Sequence, residues 1–216
     1  MPLSIWLGLE DCLQTINERR PQSVLDAGIG FGLFGHLLRQ YLDVWEGRIQ
    51  REDWCIRIDG IEIDERRIQP HARYLYDEVF VGDIRELVPL CASRSAYDVI
   101  LFGDVLEHLP KDDAALLLRK AIALATKLVV VRIPLGDGWR KKGREEPDHH
   151  RSTWSLDDFS EFASTIRQYH YVGNPYAFVA IDAPATRELM LQRTDRHLVQ
   201  IEERLRRLVD EPSARR

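Results

Sequence analysis

A turn between Val24 and Gly35 carries residue types that could hold a charged ligand. Three glycines, Gly28, Gly30 and Gly32, alternate after a strand-like run and before a segment with helical spacing of apolar residues. Glycines at such a junction let the backbone approach a ligand closely, and they leave helix N–H groups to meet a pyrophosphate or an amino-acid carboxylate. The turn therefore predicts a ligand site at the start of a helix.

The residues around the glycines distinguish between these two anions. A dinucleotide fingerprint has glycine at its first, third and sixth places, and the sixth place here is Leu33. The carboxylate of Asp26, at the end of the strand, would repel a pyrophosphate but would accept hydrogen bonds from an ammonium group. The turn therefore favours S-adenosylmethionine, which carries both an ammonium and a carboxylate, over NAD.

The elements that must position this turn alternate along the chain. Helix-like segments, including 65–76 and 111–125, separate short apolar runs that are rich in β-branched residues. The apolar runs are 23–28, 55–64, 78–83, 97–104 and 127–136. This order predicts an α/β protein with a doubly wound, mostly parallel sheet, whose ligands bind beyond the carboxyl ends of the strands.

Both ends of the chain add elements to this alternation. Residues 1–20 predict an amphipathic helix, because their apolar residues share one helical face. Near the other end we expect a helix at 155–165 and then an antiparallel pair of strands at 168–174 and 176–183. A long polar helix at 186–209 completes the chain, and its apolar residues could pack on its own domain or form a dimer contact.

Four motifs at the ends of strand-like runs occur in the order DAGIGFG, GIEID, VGDI and FGDVLEHL. In these motifs the chain from about 24 to 182 resembles the class I S-adenosylmethionine-dependent methyltransferases of the small-molecule type. The resemblance implies a Rossmann-like, seven-stranded sheet with an antiparallel final strand, and S-adenosylmethionine as cofactor. It divides the chain into an N-terminal helix (1–20), a methyltransferase domain (21–184) and a C-terminal helix and tail (185–216).

The first two motifs imply contacts with the methionine and ribose parts of the cofactor. Asp26 and the backbone of Gly28 and Gly30 would face the methionine end, and Glu62 would bind the ribose hydroxyls with one carboxylate. Residues 43–55 lengthen the chain between these motifs and predict a surface loop or an additional turn. Asp26 could instead be a helix cap, and Glu62 could be an ordinary loop acid.

The third and fourth motifs imply contacts with the adenine and the sulfonium. Asp83 would accept a hydrogen bond from the adenine amino group, with Ile84 against the ring, although Asp83 could also be an ordinary loop acid. Asp104 and Leu106 would lie beside the sulfonium and the substrate entrance.

Histidines near these motifs are candidates for acid–base chemistry. Methyl transfer from a sulfonium is an in-line displacement that needs no nucleophile from the protein, but an acceptor hydroxyl must lose its proton. His108, His149 and His150 are therefore the candidate catalytic residues.

The stretch that contains His108 also has the residue types of a metal site. Asp104, Glu107 and His108 resemble the metal site of the ubiquinone-biosynthesis O-methyltransferases, with Asp in place of the first Glu, and a divalent ion there could orient a diol. We favour the alternative, in which Glu107 and His108 cap the next helix and pack beneath the site, so the sequence assigns no metal ligand.

The acceptor is the least defined part of the prediction. Residues 134–159 suit a mobile lid that includes Trp154, or alternatively a solvated loop. A basic patch in this segment, which could bind an anionic acceptor, consists of Arg140, Lys141, Lys142 and Arg144. A small molecule or saccharide with an acceptor oxygen is the leading expectation, while nitrogen acceptors and RNA stay open.

Composition bounds the partners and the compartment. The net charge of −5 over 216 residues argues against nucleic acid as the obligatory partner. Three scattered cysteines read as ordinary thiols, and no signal peptide or membrane span is evident, so a cytoplasmic protein is expected. Two other functions stay open: an NAD-dependent oxidoreductase, and a non-catalytic relative that binds the cofactor.

Overall fold

The computed structural model of the protein describes residues 5–139 and 149–210, with side chains up to residue 201. Its strands are β1 (Ser23–Ala27), β2 (Arg57–Glu62), β3 (Glu78–Val81), β4 (Val99–Gly103), β5 (Leu128–Pro134), β6 (Ser164–Tyr171) and β7 (Asn174–Asp182). Its α-helices are α1 (Leu9–Glu18), α2 (Leu33–Leu42), α3 (Pro70–Leu75), α4 (Ile84–Arg94), α5 (Lys111–Leu124) and α6 (Ala183–Asp210).

The strands of the described residues form one seven-stranded sheet in the order β3-β2-β1-β4-β5-β7-β6. Strands β1 to β5 are parallel, β7 is antiparallel to β5, and β6 is antiparallel to β7. The order reverses between β1 and β4, which is where ligands bind in open α/β sheets. The prediction of a Rossmann-like, mostly parallel sheet with an antiparallel end is confirmed.

Helices cover both faces of the sheet, so the central strands are buried throughout. Successive residues of β1 enter two separate clusters: Leu25 packs with Val88 of α4 and Leu118 of α5, whereas Val24 packs with Leu38 of α2. Every residue of β1, β4 and β5 is buried. Burial on both faces explains why these strands are nearly continuous apolar runs in the sequence.

The prediction of a helix at 155–165 is wrong. Only a single 3₁₀ turn forms there, Leu156–Phe159, and it begins with a capping box in which Ser155 and Asp158 hydrogen-bond each other's backbone N–H. The strand β6 then starts at Ser164, before the predicted strand at 168–174. The β-branched Thr165 and Ile166 favour a strand, and pairing with the nine-residue β7 extends it.

The residues between α2 and β2, at 43–55, contain two 3₁₀ turns anchored by one buried acid. Asp43 is fully buried and accepts hydrogen bonds from Arg39 Nη1 (2.8 Å), Arg48 Nε (2.8 Å) and the Cys55 N–H (3.0 Å). Burial alone would raise the pKa of Asp43, but these hydrogen bonds outweigh it and lower the pKa. The extra residues are therefore tied to the fold, and β2 keeps its register with β1, with Ala27 opposite Ile61.

The last helix, α6, begins at Ala183 and is therefore slightly longer than the predicted 186–209. Thr186 near its start is buried, and its Oγ1 accepts a hydrogen bond from the Ala163 N–H at 3.0 Å. Farther along, Leu191 and Leu198 are exposed. The first turns of α6 thus pack on the sheet, whereas Leu191 and Leu198 do not. Within residues 5–139 and 149–210, no helix is both long and apolar enough to cross a membrane.

Candidate cofactor and acceptor site

The glycine turn lies at the carboxyl end of β1, where the backbone conformation demands glycine. Gly28, Gly30 and Gly32 have φ of 116°, 52° and 87°. A Cβ on Gly28 would lie 2.2 Å from Cγ2 of Val105, which follows β4. The turn is therefore restricted to glycine both by its backbone and by close packing against the neighbouring strand end.

Asp26 lies fully buried beneath this turn. Its Oδ2 accepts a hydrogen bond from the Tyr76 hydroxyl at 2.5 Å, and that hydroxyl accepts one from the Gly35 N–H at 2.9 Å. No donor among the described residues bonds its Oδ1. Burial raises the pKa of Asp26 to about 7, against the lowering effect of Tyr76. A cationic ligand group that reached Oδ1 would therefore meet an acceptor with no competing donor among the described residues.

Glu62 connects β2 to the glycine turn. It is nearly buried, and its oxygens accept hydrogen bonds from the Gly30 N–H (3.0 Å) and the Asp64 N–H (3.2 Å). Burial raises the pKa of Glu62 despite these hydrogen bonds. Because each carboxylate oxygen has two acceptor positions, Glu62 keeps capacity for hydroxyl donors such as those of a ribose.

Asp83 has a structural role in the described residues. It is the N-cap of α4, accepts the Arg85 N–H at 2.8 Å and pairs with the Arg85 guanidinium at 2.6 Å. These interactions with Arg85 lower the pKa of Asp83. The following Ile84 is buried in the core. A role for both residues at an adenine ring stays a prediction.

Asp104 follows β4 with a positive φ of 57°, which is uncommon for a residue other than glycine. Its Oδ1 accepts a hydrogen bond from the Tyr176 hydroxyl at 2.6 Å, and its Oδ2 lies 3.7 Å from Nη1 of the fully buried Arg132. Arg132 also donates to the Leu7 carbonyl at 2.8 Å. Leu106, predicted beside the sulfonium, is fully buried in the core.

Sequence reasoning missed Tyr76, Arg132 and Tyr176, although they hold two of the predicted acids. Arg132 had a visible signal, because it is the one charged residue within the apolar run of β5. Such a charge is buried only when it has a partner. The two tyrosines had no comparable signal in the sequence.

The histidine candidates come together only in part. Glu107 is nearly buried, with its Oε1 3.8 Å from His108 Nε2. The rings of His108 and His150 meet edge to face with centroids 5.0 Å apart. His149 is exposed, and its carbonyl oxygen lies 3.3 Å from His108 Nδ1. The predicted basic patch (Arg140, Lys141, Lys142 and Arg144) lies outside the described residues.

The segment after β5 packs against the protein where the structure describes it. Trp154 is buried, its Nε1 donates to Ser152 Oγ at 3.0 Å, and its ring lies 3.7 Å from Lys111 Nζ. A cavity of about 570 Å³ lies beside it and is also lined by Leu135 and Pro175. This cavity shares no lining residue with the glycine turn, so any acceptor bound there would lie beyond the ends of β5 and β7.

No protein-family model matches the sequence, and no curated protein matches it. Solved structures do match: the N-methyltransferase NodS from Bradyrhizobium japonicum has 11% identity over 80% of this chain and 94% of that chain, with a TM-score of 0.56. This chain has the class I methyltransferase fold. The 1,6-didemethyltoxoflavin-N1-methyltransferase of Burkholderia thailandensis, with bound S-adenosylhomocysteine, has 16% identity over 80% and 75% of the two chains (TM-score 0.56). The methyltransferase domain of bacterial CtHen1 has 14% identity over 81% and 96% (TM-score 0.53).

In this class I methyltransferase fold, the residues at the carboxyl ends of β1 and β2 fit S-adenosylmethionine. The ammonium of the methionine part would find an acceptor in the buried Oδ1 of Asp26, and its carboxylate would meet N–H groups at the start of α2. Gly28 lets the turn pack closely against Val105, and Glu62 lies at the end of the adjacent strand β2. The donor set therefore supports the predicted cofactor.

Proposed function

We propose that the protein is an S-adenosylmethionine-dependent methyltransferase that acts on a small-molecule or saccharide acceptor, at a hydroxyl oxygen. The observation that carries the proposal is the Asp26 carboxylate, buried beneath a glycine turn with one oxygen lacking any donor among the described residues. A buried acceptor of this kind is costly unless a ligand satisfies it. Structural neighbours described as an N-methyltransferase and as an O-methyltransferase family protein support the reaction type.

The bound cofactor supplies an electrophilic methyl group on sulfur. Asp26 would hold the ammonium, and Glu62 would hold the ribose, which fixes the direction in which the methyl group points. Much of the rate of such a displacement comes from holding donor and acceptor in line. We further propose that His108, His149 or His150 accepts the proton of the acceptor hydroxyl, because His108 follows β4 at the carboxyl edge of the sheet and His149 and His150 contact it from the segment after β5.

A calorimetric titration with S-adenosylmethionine, S-adenosylhomocysteine and NAD tests the cofactor assignment. We expect the first two to bind and NAD not to bind, and we expect the Asp26→Ala variant to lose this binding. Binding of NAD alone would instead support the oxidoreductase alternative. An acceptor screen that detects S-adenosylhomocysteine then separates an enzyme from a relative that binds the cofactor without turnover.

We also propose that the exposed apolar side of α6 forms a homodimer contact. Its members are Leu191, Leu198, Val199 and Ile201, all at least 40% exposed. Ending the chain after Thr194 would remove most of this side while keeping Thr186 and its contact with Ala163. Light scattering should show a dimer for the full chain and a monomer for the shortened one, and an unchanged mass would exclude α6 from the contact.

A further inference from the structure

Three potential metal ligands converge from two separate segments of the chain. Glu107 and His108 belong to a 3₁₀ turn after β4, and His150 belongs to the segment after β5. One ligand atom of each residue lies within 4.8 Å of the other two. Asp104, which the sequence suggested as a ligand beside Glu107 and His108, is not a member, because its carboxylate lies against Tyr176 and Arg132.

Backbone hydrogen bonds fix His150 over the 3₁₀ turn. The Glu107 carbonyl oxygen accepts from the Arg151 N–H at 2.8 Å and from the Ser152 N–H at 3.1 Å. Ser152 is itself buried, and its Oγ accepts from Trp154 Nε1 at 3.0 Å. The buried Ser152 and its backbone hydrogen bond to Glu107 therefore hold His150 close to Glu107. Their proximity does not depend on a contact between two surface side chains.

The ring of His108 is oriented for ligation. Its Nδ1 lies 3.3 Å from the His149 carbonyl oxygen, and a carbonyl only accepts hydrogen bonds, so Nδ1 carries the proton. In the neutral ring the lone pair is then on Nε2, which is the nitrogen 3.8 Å from Glu107 Oε1. A backbone carbonyl that fixes the other ring nitrogen is the usual support of a metal-binding histidine.

We propose that Glu107, His108 and His150 bind a divalent transition-metal ion. Two imidazoles and one carboxylate suit ions such as Mn²⁺ or Zn²⁺, and three protein ligands leave positions for other oxygens. Tetrahedral ligands at about 2.0–2.2 Å from an ion lie about 3.3–3.6 Å apart, so a pair separated by as much as 4.8 Å would have to close by about 1 Å when the ion binds. Burial of the Glu107 carboxylate gives the ion a charged partner shielded from water.

The use of this ion in methyl transfer rests on the proposed function, whereas the binding itself does not. An acceptor oxygen on an open position would become more acidic. Its proton would pass to a nearby base, the new O–C bond would form as the C–S bond breaks, and S-adenosylhomocysteine would be the other product. His108 and His150 then act as ligands, which leaves His149 among the three as the candidate base.

Titration of the chelator-treated full chain with MnCl₂, followed by the electron paramagnetic resonance signal of unbound Mn²⁺, tests the proposal. We expect one ion per chain, and a loss of affinity of at least tenfold in Glu107→Gln and in His150→Ala. The matched control is His149→Ala, which removes a neighbouring imidazole but keeps the backbone carbonyl that faces His108, and it should bind Mn²⁺ like the native chain.

The outcomes separate this proposal from the proposed function. Absence of Mn²⁺ binding by the native chain, or an equal loss in His149→Ala and His150→Ala, would overturn the metal site. Titration of the same variants with S-adenosylhomocysteine reports both the fold and the Asp26 site, and it should give native affinity. If that ligand binds while Mn²⁺ does not, the metal site fails alone; if Mn²⁺ binds and that ligand does not, the metal site stands and the cofactor assignment fails.

Discussion

The raised pKa of Asp26 predicts that stability and cofactor binding change with pH in opposite directions. The pKa moves from 3.8 to about 7 on folding because the carboxylate is buried. The folded chain therefore binds more protons than the unfolded chain between these values, and the free energy of unfolding falls as pH rises from about 4 to about 7. The charged form is disfavoured by about 4 kcal/mol, from 1.36 kcal/mol for each pKa unit.

The Asp26→Asn substitution removes this charge while keeping an oxygen that accepts from Tyr76. Its amide group places a buried donor where Oδ1 lies, at a cost of about 1–3 kcal/mol. At pH 8 we therefore expect the variant to be more stable than the native chain by about 1–3 kcal/mol, and below pH 4 we expect the gain to be lost. Urea unfolding at several pH values measures this difference.

Binding of S-adenosylhomocysteine should show the reverse dependence, because its ammonium requires the ionised carboxylate. With a pKa near 7 the ionised fraction rises about eightfold between pH 6 and pH 7.5, so the affinity should rise by the same factor. Calorimetry should show weak binding with a flat pH profile for Asp26→Asn. For Tyr76→Phe the rise should move to higher pH, because the hydroxyl that stabilises the ionised form is lost.

Two results would refute this reasoning. Native affinity in Asp26→Asn, with the same pH profile as the native chain, would show that Asp26 does not bind the ammonium. A stability difference between the two proteins that does not change between pH 4 and pH 8 would show that the carboxylate keeps an ordinary pKa in the fold.

Two further substitutions test the turn and the buried acid at 43. Gly28→Ala should abolish S-adenosylhomocysteine binding, because the new Cβ would lie 2.2 Å from Val105 Cγ2 at a φ of 116°. Adding Val105→Ala removes the steric clash and should restore part of the binding affinity. Full restoration would show that the positive φ at position 28 costs an alanine nothing. Asp43→Ala should lower the free energy of unfolding by about 3–5 kcal/mol, because buried Arg39 loses a charged partner. The matched control is Arg48→Ala, which removes the other, partly exposed ion-pair partner of Asp43. It should lower the free energy of unfolding, measured in urea, by about 1 kcal/mol or less, and equal losses in the two variants would contradict the prediction.

The sheet could be predicted from the sequence because its signals are local. Strands β1, β4 and β5 are buried on both faces and so appear as apolar runs, and the glycines at 28, 30 and 32 mark the turn wherever the rest of the chain lies. The prediction of a helix at 155–165 was wrong because the structure of this segment depends on a distant part of the chain. The spacing of its apolar residues fits a helix, but it also fits a single turn followed by an extended strand. Pairing with the long strand β7 favours the second arrangement.

The contacts that set the chemistry could not be predicted, because they join residues far apart in the chain. Tyr76 and Asp26 are 50 positions apart, and Tyr176 and Asp104 are 72 apart. Each tyrosine is typical of a core position, and only the sheet order brings its hydroxyl to an acid. For the same reason the sequence grouped Glu107 and His108 with Asp104 and not with His150.

The antiparallel direction of β7 has a consequence for how such a protein could change its substrate. Because β7 runs opposite to β5, Tyr176 near its beginning lies opposite Pro134 at the end of β5, and the turn at Val172 and Gly173 projects past the same edge. Trp139 stacks on Tyr171 of this hairpin and donates to the Pro175 carbonyl at 2.6 Å. In the sheet order, β4 and β5 lie between this hairpin and β1, which carries the glycine turn, and Val172 at the tip is 83% exposed. Under the proposed function, replacing tip residues would change the protein near the cavity lined by Pro175 and leave the residues of the glycine turn unchanged, so a new acceptor specificity would not require loss of the methyl donor.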